Sequence, residues 1–359
     1  MKRDDCALAP DAEPVREAFR FDEQRLTQWL LANVDDDVGT PQVSQFKGGQ
    51  SNPTYRVDTA RCSYVLRRKP PGDLLKGAHA IDREYRALAA LREVDFPVPW
   101  VHALCLDRGV IGTEFYVMDH VEGRVFWNPR LPEVPAPERA AYFDAMNETI
   151  ACLHGIDPAT IGLADYGRAG GYFERQIARW SGQYRDDALA GRDPNMDRLV
   201  EWLPQNVPAG DETAISHGDF RCDNMIFHPT EPRVLAVLDW ELSTLGHPLA
   251  DFSYHAMMYR LPPSIMNGLL GEDLALLGLP SEADYIAAYA RRTGRNGIPG
   301  YAFYIAFNMF RLAAILHGIK GRLLRGTASS ARAVEMATNV EPLALLAWQQ
   351  AEIATREAG

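Results

Sequence analysis

The sequence carries the stretch ISHGDFRCDNMIF at residues 215–227, followed by VLDWE at residues 237–241. Asp219 is followed by Asn224 five residues later and by Asp239 twenty residues later, at the end of an apolar run. Phosphoryl transfer uses such a set of groups. One carboxylate orients the attacking hydroxyl and accepts its proton, while an amide oxygen and a second carboxylate hold Mg²⁺, which prefers oxygen ligands. The spacing therefore predicts a phosphotransferase site, with a polar loop of Asx turns as the alternative.

The H-G-D-x-x-x-x-N pattern, taken with L-D-W-E, resembles the catalytic and metal loops of the aminoglycoside phosphotransferase and choline kinase superfamily. The fold of that superfamily is similar to that of protein kinases. The resemblance implies that Asp219 is the catalytic Asp, and that Asn224 and Asp239 are magnesium ligands. Arg221 stands where protein kinases keep a basic residue near the γ-phosphate. ATP and Mg²⁺ are the implied cofactors.

Hydrophobic periodicity predicts the elements around these loops. Apolar residues at helical spacing favour helices over residues 21–34 and 79–94, and short runs of β-branched and aromatic residues favour strands. After residue 136 the pattern is mostly helical, except for two short apolar runs around the catalytic loop. The predicted strands are residues 43–57, interrupted by a turn, and residues 63–67, 110–121, 214–215 and 234–238.

Together with the resemblance, these elements predict an α+β, bilobal, protein-kinase-like fold. It has a small antiparallel β N-lobe and a larger, mainly helical C-lobe. Function in such a protein is expected on loops that a rigid scaffold presents. The predicted segments are an N-terminal arm at residues 1–22, an N-lobe that clamps the nucleotide at 23–118, a hinge at 119–123, and a C-lobe at 124–359 that includes the catalytic and metal loops at 215–241.

The strand at residues 63–67 predicts part of a nucleotide clamp. Strand alternation places Val65 and Arg67 on the same face. A strand beneath a nucleotide needs a small apolar residue under the adenine and a cation two positions on, reaching the phosphates. The family more often has Lys at this second position, and Arg is not interchangeable with Lys, although it can bind phosphate bidentately. Lys69 shares the face and stays open as the alternative cation.

Three further features complete the predicted clamp. Glu84, on the helix that follows, is the candidate ion-pair partner of the cation, with a solvated helix-face carboxylate as the alternative. Gly48, Gly49 and Ser51 resemble a glycine-containing loop over the phosphates, although a hairpin turn would give the same pattern. Met118 begins the hinge whose backbone would meet the adenine.

Two residues near the catalytic loop have predicted supporting roles. His217 is expected to fix the loop, because the nine histidines lack the spacing of metal ligands. Asp251 either braces the loop from the start of a helix or caps that helix.

Composition narrows the possible functions. The formal net charge of −11 argues against nucleic-acid binding, which needs a basic surface to displace counterions. The five cysteines form no C-x-x-C pair and no apolar leader follows Met1, so we expect a cytoplasmic protein. The most apolar stretch, residues 301–316, is interrupted by Asn308 and Arg311, and we expect a buried helix rather than a membrane span. The oligomeric state is left open.

A wider resemblance indicates the acceptor. Several stretches look like the kinase domain fused to some acyl-CoA dehydrogenases and its stand-alone bacterial relatives. This branch is associated with phosphorylating the 4-hydroxyl of hydroxyacyl-CoA thioesters, so the resemblance implies a small-molecule partner of that class and a chain that holds the kinase alone. The stretches are residues 46–55, 64–72, 78–85, 111–118 and 307–313.

Two other functions remain open. One is a kinase for an aminoglycoside or choline-like alcohol, whose positive charge would suit an acidic protein. The other is a non-catalytic nucleotide-binding scaffold, which would not require Asp219, Asn224 and Asp239 to be present together. A CoA thioester would need cations for its phosphates, with a solvated basic helix end as the alternative reading. The candidates are Arg311 with Asn308, and Lys320, Arg322 and Arg325.

Overall fold

The computed structural model describes residues 12–47, 52–72, 80–327 and 333–358. Backbone contacts divide the chain into two compact units. The division differs from the expected one, because the segment with the metal loop folds with the first unit rather than with the helices. The first unit comprises Met1–Arg124, Ile161–Leu163 and Met225–Ser243, and the second comprises Val125–Thr160, Ala164–Asn224 and Thr244–Gly359.

The first unit contains a six-stranded antiparallel sheet in the order β1-β2-β3-β4-β6-β5. The expected arm is wrong for residues 12–14, which form the edge strand β1, with Ala12 opposite Phe46 of β2. The strands are β1 Ala12–Pro14, β2 Gln42–Phe46, β3 Thr54–Asp58, β4 Ser63–Arg68, β5 Val101–Cys105 and β6 Phe115–Asp119.

Strand β6 is shorter than the apolar pattern over residues 110–121 predicts. Val110 and Gly112 donate backbone hydrogen bonds to Asp107 and Arg108 and so form a turn before the strand. Gly112 has a φ of +88°, which favours glycine and ends the extended pattern.

Two helices accompany this sheet: α1 at Glu23–Asn33 and α2 at Ile81–Arg92. Asp22 begins α1, because its carboxylate accepts from the N–H groups of Gln24 and Arg25. Leu26 and Leu30 of α1 are fully buried in a core with side chains from the sheet. That core fixes β4, which carries the predicted clamp.

The segment after residues 217–224, which form the predicted catalytic loop and are called the catalytic loop below, forms an antiparallel hairpin of β8, Met225–Phe227, and β9, Val234–Val237. A side chain at Gly123 would lie only 2.3 Å from the Phe227 carbonyl oxygen, so glycine is required there. Trp240, which follows β9, packs edge-on against Phe96 with ring centroids 5.9 Å apart. These contacts fix the residues around Asp239 within the first unit.

The second unit is mainly helical, and its longest described helix is α9. That helix has 24 residues and is apolar enough to cross a membrane by length and composition, but 83% of its most apolar window is buried inside the protein. The expected buried helix is therefore present. The helices are α3 Ala136–Gly155, α4 Tyr172–Asp186, α5 Pro194–Trp202, α6 Pro248–Ala256, α7 Leu274–Leu277, α8 Glu282–Arg292, α9 Tyr301–Leu324, α10 Ala333–Thr338 and α11 Val340–Ala358.

A short strand pair anchors the catalytic loop in this unit. β7, Ala214–Ser216, pairs antiparallel with β10, Thr244–Gly246. The sequence predicted only two strands in the region of the catalytic and metal loops, whereas the structure has four, in two separate pairs. Three-residue strands such as β8 and β10 are too short to give a periodic signal.

Candidate active site

The catalytic loop leaves β7 and turns at Gly218, whose φ of +86° lies in the region that favours glycine. The turn presents Asp219. Its Oδ1 accepts a hydrogen bond from the Tyr254 hydroxyl at 2.6 Å, and its Oδ2 accepts one from the Asn224 amide nitrogen at 3.0 Å. Asn224 also donates to the Asp219 carbonyl oxygen at 2.9 Å. The structure thus brings Asp219 and Asn224 together and holds both carboxylate oxygens with neutral donors.

A buried carboxylate holds the backbone of this loop. Asp251 of α6 accepts from the backbone N–H groups of His217 at 2.7 Å and Gly218 at 2.8 Å, and its Oδ2 lies 3.3 Å from His154 Nε2. Burial alone would raise the Asp251 pKa, but the hydrogen bond and charge of His154, with the donors of the loop, hold it below its usual value. Asp251 therefore braces the loop, and His247 is the residue that caps α6.

Two further side chains support the same backbone. The His217 ring is fully buried and its Nδ1 accepts from the Asp219 N–H at 3.2 Å, as its predicted role requires. Arg311 of α9 donates from Nη2 to the Gly218 carbonyl oxygen at 3.0 Å and is only 8% exposed. Arg311 is thus part of the loop's support, so the alternative of a solvated helix end is wrong for it, and its predicted contact with the phosphates of a CoA thioester stays a prediction.

Two of the other residues of α9 and its end that were candidates for phosphate contacts have partners within the protein. The buried Asn308 amide donates to the Ala250 carbonyl oxygen at 2.9 Å and to the Ser253 hydroxyl at 2.8 Å, so it ties α9 to α6. Arg325 forms an ion pair with Asp187 at 2.8 Å. A phosphate-binding role for Lys320 and Arg322 stays a prediction.

His255 is a support that the sequence did not reveal. Its Nδ1 lies 3.1 Å from the Phe220 carbonyl oxygen, which can only accept, so this nitrogen is the donor. The other ring nitrogen then accepts from the Tyr285 hydroxyl at 2.6 Å. Burial lowers the His255 pKa to about 4, so the ring is neutral at physiological pH. One histidine within an apolar helix gives no sequence signal for this role.

The Arg221 guanidinium group forms an ion pair with the neighbouring Asp223 carboxylate. Its Nε donates to Asp223 Oδ1 at 2.8 Å, its Nη2 contacts the second oxygen, and Nε lies 4.0 Å from Asp219 Oδ1. Burial would lower the Arg221 pKa, but the hydrogen bonds of Asp223 and the charge of Asp219 raise it. The predicted position of Arg221 near a γ-phosphate stays a prediction.

The first unit buries a second polar cluster, around Arg67 of β4. Arg67 Nε lies 2.7 Å from Glu84 Oε2, and Nη2 lies 2.6 Å from Asp239 Oδ1. Glu241 follows, with Oε2 3.7 Å from Nη2. The ion pair expected between Arg67 and Glu84 is therefore present, and Asp239 joins the same guanidinium. Their contacts with a nucleotide stay predictions.

Lys69, the alternative cation, pairs with Glu114 instead of Glu84. That contact and Arg108 lower the Glu114 pKa. Val65 lies opposite Met118 in the β4–β6 register, and each is 8% exposed. Their predicted contacts with adenine are untested, and Gly48, Gly49 and Ser51 lie outside the described residues.

Two residues missed by the sequence interpretation complete the Arg67 cluster. Asn52 donates to Glu84 Oε1 at 2.9 Å, and the Tyr116 hydroxyl donates to Glu84 Oε2 at 3.1 Å. Burial raises the Glu84 pKa, while the charge of Arg67 opposes that effect. Asn52 directly follows the glycine-containing loop, and this position in the sequence could have identified it as a site residue. Tyr116 lies on a neighbouring strand, and no local pattern connects it with Glu84.

The oxygen donors predicted for magnesium are available in both units. Asp239, two residues after β9, has a φ of +64°, and its side chain remains 36% exposed despite the contact with Arg67. In Asn224 the amide nitrogen faces Asp219, so its oxygen is directed elsewhere. Carboxylate and amide oxygens fit a hard cation. In the described part of the chain, no three His, Cys, Asp or Glu side chains group as a metal site by themselves.

The first unit has an antiparallel sheet, and the second has helices and an Asp–Asn loop that other side chains hold in place. This is the architecture of kinase-like phosphotransferases. The comparison with family models agrees. The phosphotransferase enzyme family matches residues 42–304, and the chain belongs to that family.

The chain is also similar to individual proteins. It is 42% identical over 351 residues to acyl-CoA dehydrogenase family member 10 of Mus musculus, a match that covers 97% of this chain and 32% of the relative. The chain thus spans about a third of that relative's length. Among solved structures, one from Ralstonia eutropha, provisionally assigned as an aminoglycoside phosphotransferase, has 48% identity and a TM-score of 0.85, and the match covers 93% of this chain and 99% of the other.

A more distant structure shares the fold. It is a thermostable mutant of aminoglycoside phosphotransferase APH(4)-Ia, in a ternary complex with AMP-PNP and hygromycin B. The identity is 14% and the TM-score 0.55, with 93% of this chain and 98% of that chain covered.

Proposed function

We propose that the protein is an ATP- and Mg²⁺-dependent kinase that phosphorylates the hydroxyl of a 4-hydroxyacyl-CoA thioester. The observation that carries the proposal is the Asp219 carboxylate, held at both oxygens by Tyr254 and Asn224 on a loop that Asp251 braces. A general base must be positioned before the reaction, because reorienting it during the reaction would add to the barrier.

In the proposed reaction, the acceptor hydroxyl donates a hydrogen bond to Asp219. The hydroxyl oxygen forms a bond to the γ-phosphorus of ATP, and the bond from that phosphorus to the β,γ-bridging oxygen breaks. The proton passes to the Asp219 carboxylate, and the products are the phosphorylated acceptor and ADP. Arg221 would place positive charge near the transferred group, as electrostatic stabilisation of the transition state requires.

The first unit supplies the proposed nucleotide contacts. Val65 and Met118 would lie against the adenine, and Arg67, oriented by Glu84, would contact the phosphates. Residues 48–51 would cover those phosphates. The AMP-PNP complex of the distant phosphotransferase and the ADP complex of a spectinomycin phosphotransferase support a nucleotide as the donor.

Mg²⁺ would be held by oxygens of Asn224 and Asp239, and when bound it would neutralise charge on the phosphates. Asp239 has a second role without the cation, because it accepts from Arg67. Its exposed side leaves an oxygen for the cation.

The acceptor is proposed from the relatives. Those that match nearly the whole chain are called acyl-CoA dehydrogenase family members, and the matching region is only a part of each. A kinase beside an acyl-CoA dehydrogenase would act on the same class of thioester. The two alternatives are a kinase for an aminoglycoside or choline-like alcohol and a non-catalytic scaffold.

One experiment separates these three functions. The purified protein is given MgATP with a 4-hydroxyacyl-CoA, an aminoglycoside or choline, and ADP formation and the mass of the product are measured. We expect ADP and a phosphorylated thioester, with the highest kcat/KM for the thioester. A higher kcat/KM for either alcohol would overturn the acceptor, and nucleotide binding without any product would favour the scaffold.

A further inference from the structure

Three arginines lie on two packed helices beside the catalytic loop, in a protein whose formal net charge is −11. They are Arg175 and Arg179 on α4 and Arg311 on α9. We propose that these arginines form the site for the phosphate groups of an anionic acceptor and select it against cationic alcohols. The inference rests on the proposed function and adds to it a location for substrate recognition.

The packing of the two helices brings Arg179 and Arg311 to a similar height. Phe173 of α4 packs against Phe307 of α9 with ring centroids 5.0 Å apart, and Gln183 donates to the Ala314 carbonyl oxygen at 3.2 Å. The two helices therefore run in the same direction. Position 179 lies between the two α4 contacts and position 311 lies between the two α9 contacts, so Arg179 and Arg311 are at similar heights.

The side of α4 that carries Arg175 and Arg179 faces the residues just before the catalytic loop. Residues 172, 175 and 179 share one side of a helix. A side chain built at Gly246 of β10 would meet both Ser216 Oγ at 2.6 Å and a Tyr172 ring carbon at 3.0 Å, so Tyr172 lies next to Ser216. Ser216 is three residues before Asp219. Arg311 reaches the same loop through the Gly218 carbonyl oxygen.

The electrostatics of Tyr172 agree with this placement. Burial raises the Tyr172 pKa. The charge of Arg311 is the largest opposing effect, and Arg175 and Arg179 also oppose the rise. All three guanidinium charges therefore act at one hydroxyl group.

The positive charges of the cluster lack carboxylate partners. In the described residues, none of the three guanidinium groups forms an ion pair. Arg175 donates to the carbonyl oxygens of Gly170 and Arg168, and Arg179 lies over the Trp180 ring with its guanidinium carbon 4.8 Å from the centroid. The nearby Asp251 is already bound to the loop and to a histidine. The carboxylates of Asp211 and Glu174 lie near the Gly170–Gly171 turn that Arg175 contacts, but none of the three guanidinium groups is paired directly with a carboxylate in the described residues.

Two buried polar atoms also lack partners there. Ser216 Oγ, in a residue that is 2% exposed, and Arg311 Nε, in a residue that is 8% exposed, have no hydrogen-bond partner within the described ranges. A buried polar atom without a partner costs about 1–3 kcal/mol. Both atoms are buried, so the exposed Arg179 is the member of the cluster that a ligand phosphate would meet first. The N-terminal end of α4, which begins at Tyr172, adds positive partial charge at this place.

The ligand class follows from the donors. Guanidinium groups bind phosphate oxygens with charge-assisted hydrogen bonds, often in pairs. A CoA thioester carries phosphates, whereas an aminoglycoside or choline carries positive charge and would be repelled. The cluster therefore favours the thioester among the proposed acceptors.

The test compares two acceptors that differ only in the phosphate-bearing part: a 4-hydroxyacyl-CoA and the thioester of the same acid with N-acetylcysteamine. Arg179→Gln removes the exposed charge of the cluster, and Arg185→Gln, an exposed arginine on the same helix paired with Glu201, is the matched control. We expect Arg179→Gln to raise the KM for the CoA thioester about 10-fold or more, the effect of a charge-assisted hydrogen bond. The KM for the short thioester and for ATP should not change.

A second measurement does not need turnover. Isothermal titration with coenzyme A, in the presence of MgADP, should show binding to the wild type and to Arg185→Gln, and weaker binding to Arg179→Gln. Equal CoA affinity in all three proteins, or no CoA binding to the wild type, would overturn the site. If coenzyme A binds as expected but neither thioester is phosphorylated, the proposed reaction fails and the anion site stands.

Discussion

The two polar clusters of the candidate site, one in each unit, hold their charged groups in different ways. In the first unit, Arg67 is surrounded by the carboxylates of Glu84, Asp239 and Glu241, so its charge is compensated within the protein. In the second unit, the Asp219 carboxylate is held by the neutral donors Tyr254 and Asn224.

The two clusters should therefore respond differently to substitution. An ion-pair cluster loses stability when one charge is removed, because the remaining charge is left buried and unpaired. A carboxylate held by neutral donors can be replaced by an amide with less effect on folding, but its chemistry is lost. We therefore expect substitutions in the first unit to affect stability and substitutions at Asp219 to affect rate.

The largest effect is expected for Asp219→Asn. The amide keeps the shape of the side chain but cannot accept the proton, so kcat should fall about 10²–10⁴-fold. Single-turnover assays with the true acceptor give the rate, and the thermal midpoint, which should change little, gives the stability. Full turnover by this variant would rule out Asp219 as the base.

Arg67→Met should have the largest effect on stability. It leaves the buried Glu84 carboxylate without its cation, which costs about 3–5 kcal/mol of unfolding free energy. Urea denaturation measures the change. Combining Arg67→Met with Glu84→Gln should recover much of the loss, since the unpaired charge is gone. A double variant as unstable as the single one would contradict the reasoning.

A pH effect tests the supports of the catalytic loop. The His255 pKa is lowered from 6.5 to about 4 on folding, so the unfolded chain binds more protons between these values. The contribution of His255 to the free energy of unfolding is therefore fully present above pH 6.5. It is lost as the pH falls toward 4, by roughly 3 kcal/mol at most. His255→Asn should flatten this part of the stability curve, whereas the control His228→Asn should not. An unchanged slope in His255→Asn would show that another group titrates.

The smallest effect is expected for Tyr254→Phe. It removes one hydrogen bond to Asp219, worth about 1 kcal/mol, so kcat should fall about five-fold while the KM for ATP is unchanged. In the Asp219→Asn background the same change should have less effect on the rate, because the carboxylate that the hydroxyl positions is absent. Equal effects in both backgrounds would assign Tyr254 a packing role only.

Local spacing in the sequence predicted the parts of the site that lie close together along the chain. Asp219 and Asn224 are five residues apart, and a single loop with a 3₁₀ turn at residues 222–224 brings them into contact. The Arg67–Glu84 pair was also within reach of prediction, because a strand and the next helix place two known faces near each other. The α+β class was predicted from the hydrophobic periodicities together with the family resemblance.

Tertiary structure decided the remaining partners. Asp251, His255 and Arg311 hold the catalytic loop from helices 30 or more residues away, and Asn52 and Tyr116 reach Glu84 from other elements. Tertiary structure also placed residues 225–243 in the first unit, and it made Lys69 a partner of Glu114. The physical reason is that a sequence pattern fixes which face of an element is polar, whereas the choice of partner depends on how distant elements pack.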